Sequence, residues 1–442
     1  MTTATAGLAA RPIIDSTRWP DLTDSRARAR RSVAARVARW VFRSAADRLP
    51  VRVDLGGTAL IGGGDDGAPL MVIHRPDAFF AAVGAKGLIG FGESYMAGDW
   101  EAEDLSGLLQ VFAAQMATLV PAPLQRLRAL YVARAPRTER NTATNTRGNI
   151  ARHYDLSNEL FATFLDETLS YSSALFDGDQ RPGVAVAGES VQQSRPTQPA
   201  EWSALASGQA RKIERMLDQA GVASGSRVLE IGTGWGELAI RAAARGATVL
   251  TVTLSSEQQA LARERVAAAG FADAVDVELL DYRAVQGEFD AVVSVEMIEA
   301  VGHEYWKEYF QTIDRVLAPG GKVAIQAITM PHDRMLATRY TYTWITKYIF
   351  PGGFLPSTEA ITDVTAEHTS LRVVERLSFG QHYAETLRLW DERFRSGLAQ
   401  VHRLGFDDVF VRMWHFYLEY SRAGFRSGYL DVQQVTLERA AA

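Results

Sequence analysis

The stretch VLEIGTGWG at residues 228–236 decides the fold of this chain. A short apolar run containing Glu230 leads into glycines at positions 232, 234 and 236, and a helical pattern begins at Glu237. Glycine lets the backbone turn sharply and approach a bound nucleotide-like ligand closely. The stretch therefore predicts a strand, a ligand-binding turn and a helix, which is the opening unit of a Rossmann-like domain.

The residues around this stretch continue the same alternation of strands and helices. The predicted strands lie at 227–231, 248–254, 275–280, 289–295 and 322–328, and the predicted helices at 209–219, 237–244, 257–269 and 305–317, with a turn at Gly320 and Gly321. Continuous apolar strands separated by helices indicate a parallel sheet that is covered on both faces. A ligand site is then expected at the carboxyl ends of the strands.

The glycine pattern favours S-adenosyl-L-methionine over a dinucleotide as the ligand. The spacing is Gly-x-Gly-x-Gly rather than Gly-x-Gly-x-x-Gly, and Glu230 stands two residues ahead of the first glycine. A dinucleotide site also expects an acid after the second strand, where this chain has Thr253 and Leu254. Asp281 and Tyr282 follow the third strand, where a carboxylate and a ring are well placed to meet an adenine.

Composition excludes several classes of protein. The 442 residues predict two or three domains. The chain has no cysteine, which excludes disulfides, cysteine–zinc sites, iron–sulfur clusters and a cysteine nucleophile. The histidines lack metal-ligand spacing, so no metal site is predicted, and a net charge of −5 does not favour nucleic acid. There is no apolar run long enough to span a bilayer and no signal-peptide pattern, so a cytoplasmic location is expected.

The N-terminal part differs from the rest. Residues 51–73 are β-branched and glycine-rich, helical patterns follow, and the polar run 138–149 marks a boundary. We expect a smaller α+β domain at 1–138, with a lipid-associated, membrane-associated or dimerisation role. A second, Rossmann-like domain is then expected at 139–442, with a mobile loop at about 178–200.

A basic segment near the N-terminus predicts an amphipathic helix. Nine arginines lie between Arg26 and Arg52, and Val33, Val37 and Trp40 fall on one helical face. This pattern suits an anionic membrane surface. The alternative is that the apolar stripe packs on its own domain, as such stripes usually do.

Several stretches resemble the cyclopropane-fatty-acid synthase and mycolic-acid cyclopropane synthase family. They are HYDLSNELF (153–161), YSSALF (171–176), VLEIGTGWG (228–236), VTLSSEQ (252–258), VEMIEAVG (295–302), GQHYAETLRLW (380–390) and FYLEYSRAGFRSGYLDVQQV (416–435), with MAGDW (96–100) as an N-terminal match. Members of this family are S-adenosylmethionine-dependent enzymes that methylenate or methylate the double bond of a lipid acyl chain. The resemblance implies a class I methyltransferase fold and an enzyme of this type.

The resemblance also implies roles for particular residues. Cofactor-binding positions are matched by Tyr171, Ser172, Gly232, Gly234, Thr253, Leu254, Gln258 and Tyr282, and the glycine pattern adds Glu230, Gly236 and Asp281 to them. Glu299 and Tyr383 match active-site positions that help to hold a bicarbonate ion, which is thought to act as the base.

Two positions of the bicarbonate pocket depart from the family pattern. Ser173 replaces the cysteine of Tyr-Ser-Cys, and Gln326 replaces the histidine of His-Thr-Ile. We therefore expect Ser173 and Gln326 to belong to a catalytic site whose proton-removing side has been rebuilt.

The family chemistry predicts a substrate and partners. Attack of an alkene on the donor methyl leaves a carbocation, and the aromatic segment RYTYTWITKYIF (339–350) offers rings to stabilise it. The departures suit the branch that converts oleoyl phospholipid to 10-methylene-stearoyl lipid, the precursor of 10-methylstearate (tuberculostearate). That branch implies a separate flavin-dependent reductase, peripheral contact with the inner membrane face and, by analogy, a homodimer.

Three alternatives remain open from the sequence. The first is a cyclopropane-fatty-acyl-phospholipid synthase that makes the ring product. The second is a methyltransferase for small O- or N-nucleophiles. The third is a non-catalytic lipid-binding protein that retains the cofactor fold.

Overall fold

The computed structural model describes residues 11–23, 33–115, 157–178 and 193–439. The chain divides into two compact units. The first comprises Met1–Arg134, Thr341–Ile349 and Trp390–Tyr429, and the second comprises Ala135–Tyr340, Phe350–Leu389 and Leu430–Ala442. Two segments from late in the chain, Thr341–Ile349 and Trp390–Tyr429, thus belong to the first unit, whereas the sequence analysis expected one boundary at residue 138. The boundary expected at 138 and most of the loop at 178–200 lie outside the described residues, so both remain predictions.

The second unit is built on a seven-stranded sheet. Its strands are β5 (Arg227–Ile231), β6 (Thr248–Thr253), β7 (Val275–Leu279), β8 (Phe289–Val295), β9 (Leu317–Thr329), β10 (Leu371–Ser378) and β11 (Asp431–Arg439). The strand order is β10-β11-β9-β8-β5-β6-β7. Strands β5 to β9 pair in parallel, and β11 pairs antiparallel with both β9 and β10. This is the predicted Rossmann-like α/β sheet with an antiparallel edge.

Helices cover both faces of this sheet. They are α5 (Asn158–Ala162), α6 (Leu205–Gln219), α7 (Glu237–Ala244), α8 (Ser256–Ala268), α9 (Ile298–Val301), α10 (Trp306–Val316), α11 (His332–Thr338) and α13 (Thr358–His368), and α14 (Gly380–Ser396) begins in this unit. One buried cluster joins Ile213 and Leu238 to Val293 of the sheet. A second cluster joins Phe310 and Ile361 to Val323. The two clusters bury the two faces, as continuous apolar strands require.

The predicted elements are confirmed apart from one turn. The strands at 227–231 and 289–295 and the helix at 237–244 have the predicted bounds. The turn expected at Gly320 and Gly321 instead lies inside β9. The register with β8 shifts there, from the pair Phe289–Leu317 to the pair Ala291–Lys322. The glycines form an irregularity that lets the strand continue, and Gly320 has φ +79°.

The first unit contains a small sheet and several helices. Strands β1 (Arg52–Asp54), β2 (Leu60–Ile61), β3 (Leu70–Ile73) and β4 (Trp100–Ala102) are ordered β2-β1-β3-β4. The helices are α1 (Val33–Ala46), α2 (Pro76–Lys86), α3 (Leu88–Met96), α4 (Leu105–Ala114), α12 (Trp344–Tyr348), α15 (Leu398–Arg403) and α16 (Asp408–Arg426). The predicted α+β character of the N-terminal part is therefore present.

Buried contacts explain why late segments belong to the first unit. Arg412 on α16 is 1% exposed and donates to the carbonyl oxygens of Tyr95, at 2.7 Å, and Trp100, at 3.0 Å. Trp344 on α12 packs edge-on against Phe416 with ring centroids 4.8 Å apart. Tyr348 donates to Glu93 Oε1 at 2.9 Å. Trp344 and Tyr348 of the 339–350 aromatic segment thus pack within the first unit, and a role of this segment in stabilising a carbocation remains a prediction.

Helix α1 presents an uncovered apolar stripe. Its inner face packs through Phe42, whose ring lies edge-on to Phe79 at 5.2 Å. The side chains of Val33, Val37 and Trp40 are 66%, 44% and 62% exposed. Val41 and Ser44, which share the helical spacing of these three residues, are half-buried, so both interpretations of the helix stay open. No helix within the described ranges has the length and apolar character needed to span a bilayer.

Candidate active site

The glycine turn after β5 opens the candidate site. Gly232, Gly234 and Gly236 all have positive φ, at +99°, +51° and +90°. A Cβ atom built at Gly232 would lie 2.4 Å from Cγ of Met297. Both the left-handed backbone and this close approach require glycine at position 232. The turn thereby brings the start of α7 toward the carboxyl ends of the strands.

A pocket lies at those carboxyl ends. Nine of the predicted cofactor residues line it, namely Tyr171, Ser172, Glu230, Gly232, Gly234, Thr253, Leu254, Gln258 and Tyr282. Gly236 and Asp281 are not among its lining residues. Gly236 is the N-cap of α7, and the Asp281 carboxylate is paired with Arg283 at 2.6 Å. The pocket thus gathers these nine residues from four separate stretches of the chain at the predicted place.

Glu230 brings an unsatisfied carboxylate to the pocket. Its side chain is 3% exposed, and Oε2 has no hydrogen-bond partner among the described residues. Burial raises the pKa of Glu230 to about 8. An orphaned buried carboxylate oxygen is costly unless a ligand satisfies it. A cationic group, such as the ammonium of an amino-acid cofactor, fits this oxygen.

Lys212 is a second buried charge on the same wall, and the sequence analysis missed it. Its side chain is 1% exposed, and Nζ donates to Ser172 Oγ at 2.6 Å. Burial lowers the pKa of Lys212 to about 8. Glu230 and Lys212 together offer one acidic and one basic group, as a zwitterionic amino-acid tail requires. The pocket therefore fits S-adenosylmethionine.

A second cluster, here called the Glu296 site, comprises Ser173, Glu296, Gln326 and Tyr383. The backbone N–H of Ser173 donates to Glu296 Oε1 at 2.9 Å, and Gln326 Nε2 donates to the same oxygen at 2.8 Å. The hydroxyl of Tyr383 donates to Glu296 Oε2 at 2.8 Å. Three of the four predicted catalytic residues thus meet at one carboxylate, and that carboxylate was not predicted.

The fourth predicted catalytic residue, Glu299, lies beside this site. Its Oε1 accepts the backbone N–H of Ile328 at 2.5 Å, while its Oε2 has no partner among the described residues. Burial and the neighbouring Glu296 raise the pKa of Glu299 to about 8. Of Ser173, Glu296, Glu299, Gln326 and Tyr383, only Glu296 also lines the pocket.

A network of amides holds Gln326 in place. Gln434 Nε2 donates to Gln326 Oε1 at 3.1 Å, and the same nitrogen donates to the carbonyl of Lys212, also at 3.1 Å. Gln326 is fully buried on β9. Because its oxygen already accepts from Gln434, its amide nitrogen is directed at Glu296. The hydroxyl of Ser173 donates to the Ala174 carbonyl at 3.0 Å, so Ser173 contributes its backbone N–H and not its side chain.

The position of Glu296 at the end of a predicted strand was the sequence signal that could have identified it as a site residue. The residue directly follows β8, and parallel strands present their functional side chains at their carboxyl ends. Lys212 carried no comparable signal, since it lies inside an ordinary amphipathic helix. Only the packing of α6 shows that its ammonium is buried.

The fold and the pocket together define a class of protein: an S-adenosylmethionine-dependent methyltransferase. Solved structures support this class. The chain is 28% identical to mycolic acid cyclopropane synthase CmaA1 complexed with SAH and CTAB, with a TM-score of 0.56, covering 66% of this chain and 98% of that one. The cyclopropane synthase MmaA2 from Mycobacterium tuberculosis gives a TM-score of 0.56 at 28% identity, covering 66% and 97%.

The chain belongs to the mycolic acid cyclopropane synthetase family, whose model matches residues 141–435. It is 54% identical over 429 residues to the tuberculostearic acid methyltransferase UfaA1 of Mycobacterium tuberculosis, a match that covers 96% of both chains. It is 32% identical to the cyclopropane-fatty-acyl-phospholipid synthase of Escherichia coli over 372 residues, covering 83% of this chain and 87% of that one.

Proposed function

We propose that this enzyme transfers a methyl group to the double bond of an oleoyl phospholipid and forms 10-methylene-stearoyl lipid, the precursor of 10-methylstearate. The observation that carries the proposal is the 54% identity to a tuberculostearic acid methyltransferase along 96% of both chains. The Glu296 site, in which Ser173 and Gln326 replace the cysteine and histidine of the family pattern, also supports this proposal. The groups around the proton-accepting base decide which product forms from the carbocation that methyl transfer leaves.

The protein has little acid–base work to do before methyl transfer. An isolated alkene has no proton that must leave first, so orientation in a dry pocket is the main contribution, worth roughly 7–11 kcal/mol. S-adenosylmethionine supplies an electrophilic methyl group on a sulfonium. Glu230 and Lys212 are the residues that would orient its charged tail, and the glycine turn admits its nucleoside.

The carbocation that methyl transfer leaves on the acyl chain can give either of two products. Immediate loss of a proton from the new methyl group closes a cyclopropane ring. A hydride shift along the chain before proton loss gives an exocyclic methylene group instead. The cyclopropane synthase of Escherichia coli, at 32% identity, keeps the ring product as the second candidate. Ser173 and Gln326 differ from the family pattern, and both donate to the Glu296 carboxylate. They support the methylene route because they change the surroundings in which the proton is removed.

The surface of α1 supports peripheral association with the inner face of the membrane. Val33, Val37 and Trp40 form an exposed stripe, and Arg36 and Arg43 are exposed on the same helix. Apolar side chains that enter the interface and arginines that meet anionic headgroups are the two parts of an interfacial helix. This surface would bring a cytoplasmic enzyme to acyl chains that never leave the bilayer.

Two further partners belong to the proposal: a reductase that consumes the product and a second copy of this chain. Conversion of the methylene group to a methyl branch requires a hydride and a proton, and the separate flavin-dependent reductase that the family resemblance implies would supply them. Pairing of two copies into a homodimer also remains a prediction. Neither partner enters the chemistry of the methyl transfer.

The test uses purified enzyme, dioleoyl phospholipid vesicles and S-adenosylmethionine. The two candidate products are isomers, so proton NMR of the recovered lipid must distinguish them. We expect vinylidene proton signals and one S-adenosylhomocysteine released per methylated chain. Cyclopropane ring protons without vinylidene signals would assign the enzyme to the ring-forming reaction. S-adenosylhomocysteine release without any lipid product would refute an acyl-chain substrate.

A further inference from the structure

We propose that the Glu296 carboxylate is the built-in base of this enzyme and occupies the place where the family resemblance implies a bicarbonate ion. The proposal rests on the proposed function, because it concerns the proton that is lost after methyl transfer. Two properties distinguish Glu296 from the other residues of its cluster. Its carboxylate accepts hydrogen bonds from Ser173, Gln326 and Tyr383, and it lines the pocket.

The donors that an anion would need are already used. The single backbone N–H of Ser173 and the single hydroxyl hydrogen of Tyr383 both go to Glu296. Gln326 Nε2 donates to Glu296 at 2.8 Å and faces the Ser173 carbonyl at 3.4 Å. The N–H of Ile328 goes to Glu299. Among the described residues, a bicarbonate ion at this place would find none of these donors free and would meet the like charge of a carboxylate, so the residues present do not fit it.

The backbone also fixes Glu296 in position. Glu296 has φ +51°, one of two non-glycine residues with positive φ within the described ranges. Its own N–H donates to the carbonyl of Gln326 at 2.8 Å. A left-handed glutamate is uncommon and persists where the surroundings hold it. This conformation turns the chain at the end of β8 and directs the side chain to its three donors.

Hydrogen bonding distinguishes Glu296 from Glu299 as the proton acceptor. Burial raises the pKa of Glu296, while its three donors and the positive charge of Lys212 oppose that rise. Glu299 Oε1 accepts the N–H of Ile328, and its Oε2 has no partner among the described residues. Burial and the neighbouring Glu296 together raise the pKa of Glu299 to about 8. Because hydrogen bonds to a carboxylate favour its charged form and a neighbouring carboxylate opposes it, the contacts suit Glu296 rather than Glu299 to accept the proton.

The step balances in atoms and electrons. Methyl transfer to C10 of the oleoyl chain leaves a cation at C9. A hydride then moves from C10 to C9, which places the cation at the methyl-bearing carbon. A Glu296 oxygen takes a proton from that methyl group, and the electron pair of the broken C–H bond becomes the new C=C bond. Glu296 becomes a carboxylic acid and later returns its proton to water.

The experiment measures bicarbonate dependence with purified full-length enzyme and oleoyl phospholipid vesicles. In degassed, bicarbonate-free buffer, we expect the wild-type rate to stay within ~2-fold of the rate with added bicarbonate, since the base is part of the chain. The variant E296Q should lose at least ~100-fold in kcat, the usual range for removing a general base, with little change in S-adenosylhomocysteine affinity. E264Q, which changes an exposed glutamate of the same unit, is the matched control and should keep wild-type activity.

A second variant separates loss of the base from misfolding. E296G suits the positive φ and leaves the donors of Ser173, Gln326 and Tyr383 free. Added bicarbonate or formate should restore its activity by at least ~10-fold, as an exogenous base does. A wild-type enzyme that needs bicarbonate, or an active E296Q, would overturn the proposal while vinylidene product still upheld the proposed function. Absence of any methylated lipid with the wild type would instead count against the proposed function itself.

Discussion

The hydroxyl of Tyr383 lies 2.8 Å from Glu296 Oε2 and donates to it, although the two residues are separated by 87 positions in the chain. Tyr383 is buried, at 5% exposed, and Glu296 is half-buried. A hydrogen bond to a charged group in such surroundings is strong and directional. Tyr383 therefore positions the carboxylate that faces the pocket.

Replacing Tyr383 with Phe removes this donor and keeps the ring. A hydrogen bond to a charged group contributes ~1.5–3 kcal/mol, so we expect kcat to fall ~10- to 100-fold. KM for S-adenosylmethionine should stay near the wild-type value, because Tyr383 does not line the cofactor pocket. Steady-state kinetics with vesicles would measure both constants. A raised KM with unchanged kcat would show that Tyr383 acts in binding and not at the base.

Lys212 is expected to hold the carboxylate of the cofactor tail. Lys212→Met should weaken S-adenosylhomocysteine binding by ~10- to 100-fold, the cost of losing a charged hydrogen bond. Binding of 5′-methylthioadenosine, which lacks the amino-acid tail, should be unchanged. Calorimetry with both ligands measures the difference, and Lys307→Met, an exposed position, is the control. Equal losses for both ligands would assign Lys212 a purely structural role.

Cofactor binding should release a proton at neutral pH. The pKa of Glu230 is raised to about 8 by burial, so the free enzyme holds a proton there at pH 7. Pairing with an ammonium group lowers that pKa and expels the proton, so affinity should increase as the pH rises toward 8. Lys212, whose pKa is lowered to about 8, loses its charge above that pH, and affinity should then fall.

Calorimetry at pH 7 in buffers of different ionisation enthalpy counts the released protons. Wild-type enzyme should release a proton on binding S-adenosylhomocysteine, and Glu230→Gln should abolish the release. Proton uptake, or release that persists in Glu230→Gln, would exclude this role for Glu230.

The same burial makes the ligand-free protein less stable as the pH rises. Glu230 is protonated in the folded state and ionised in the unfolded state between its ordinary value of 4.5 and about 8. The stabilisation from the raised pKa is complete below that window and is lost across it, at up to ~1.4 kcal/mol per pH unit. Glu230→Gln, which cannot ionise, should gain stability relative to the wild type from pH 5 to pH 8. A constant difference in denaturant midpoints across this range would contradict the raised pKa.

Membrane association is expected to depend on α1. Trp40 is 62% exposed, so Trp40→Ala should not disturb the core, but it should reduce co-sedimentation with anionic vesicles several-fold. Leu60→Ala is the matched control, because Leu60 is 64% exposed on β2 of the same unit. Added salt should weaken binding further through the arginines. Equal binding of both variants would show that the stripe is not the membrane contact.

Continuous apolar runs explain why the sheet was predictable. RVLEI and FDAVVSV are buried on both faces, and such runs have few alternatives to a parallel strand. The segments Thr341–Ile349 and Trp390–Tyr429 gave no comparable signal. The five-residue α12 is too short for a periodic signal, and α16 is buried around its whole circumference from Val409 to Glu419, so its sequence does not indicate which unit packs against it.

The part of the candidate site formed by the glycine turn was predictable from the sequence. Gly232 has a positive φ, a conformation that glycine adopts readily, so the glycines themselves indicate the turn. The Glu296 site depends on donors from Ser173, Gln326 and Tyr383, which lie on three distant segments. VEMIEAVG contains two acids three residues apart. The left-handed backbone at Glu296 directs its side chain, and not that of Glu299, to the donors of Ser173, Gln326 and Tyr383.

Isotope labelling of the oleoyl chain shows whether a hydride shift precedes proton loss. The measurement is deuterium and carbon NMR of the product formed from phospholipid whose oleoyl chains carry deuterium at C10. If the hydride shift occurs, the deuterium moves to C9, next to a vinylidene carbon at C10. Deuterium that remains at C10, within a cyclopropane ring, would exclude the hydride shift.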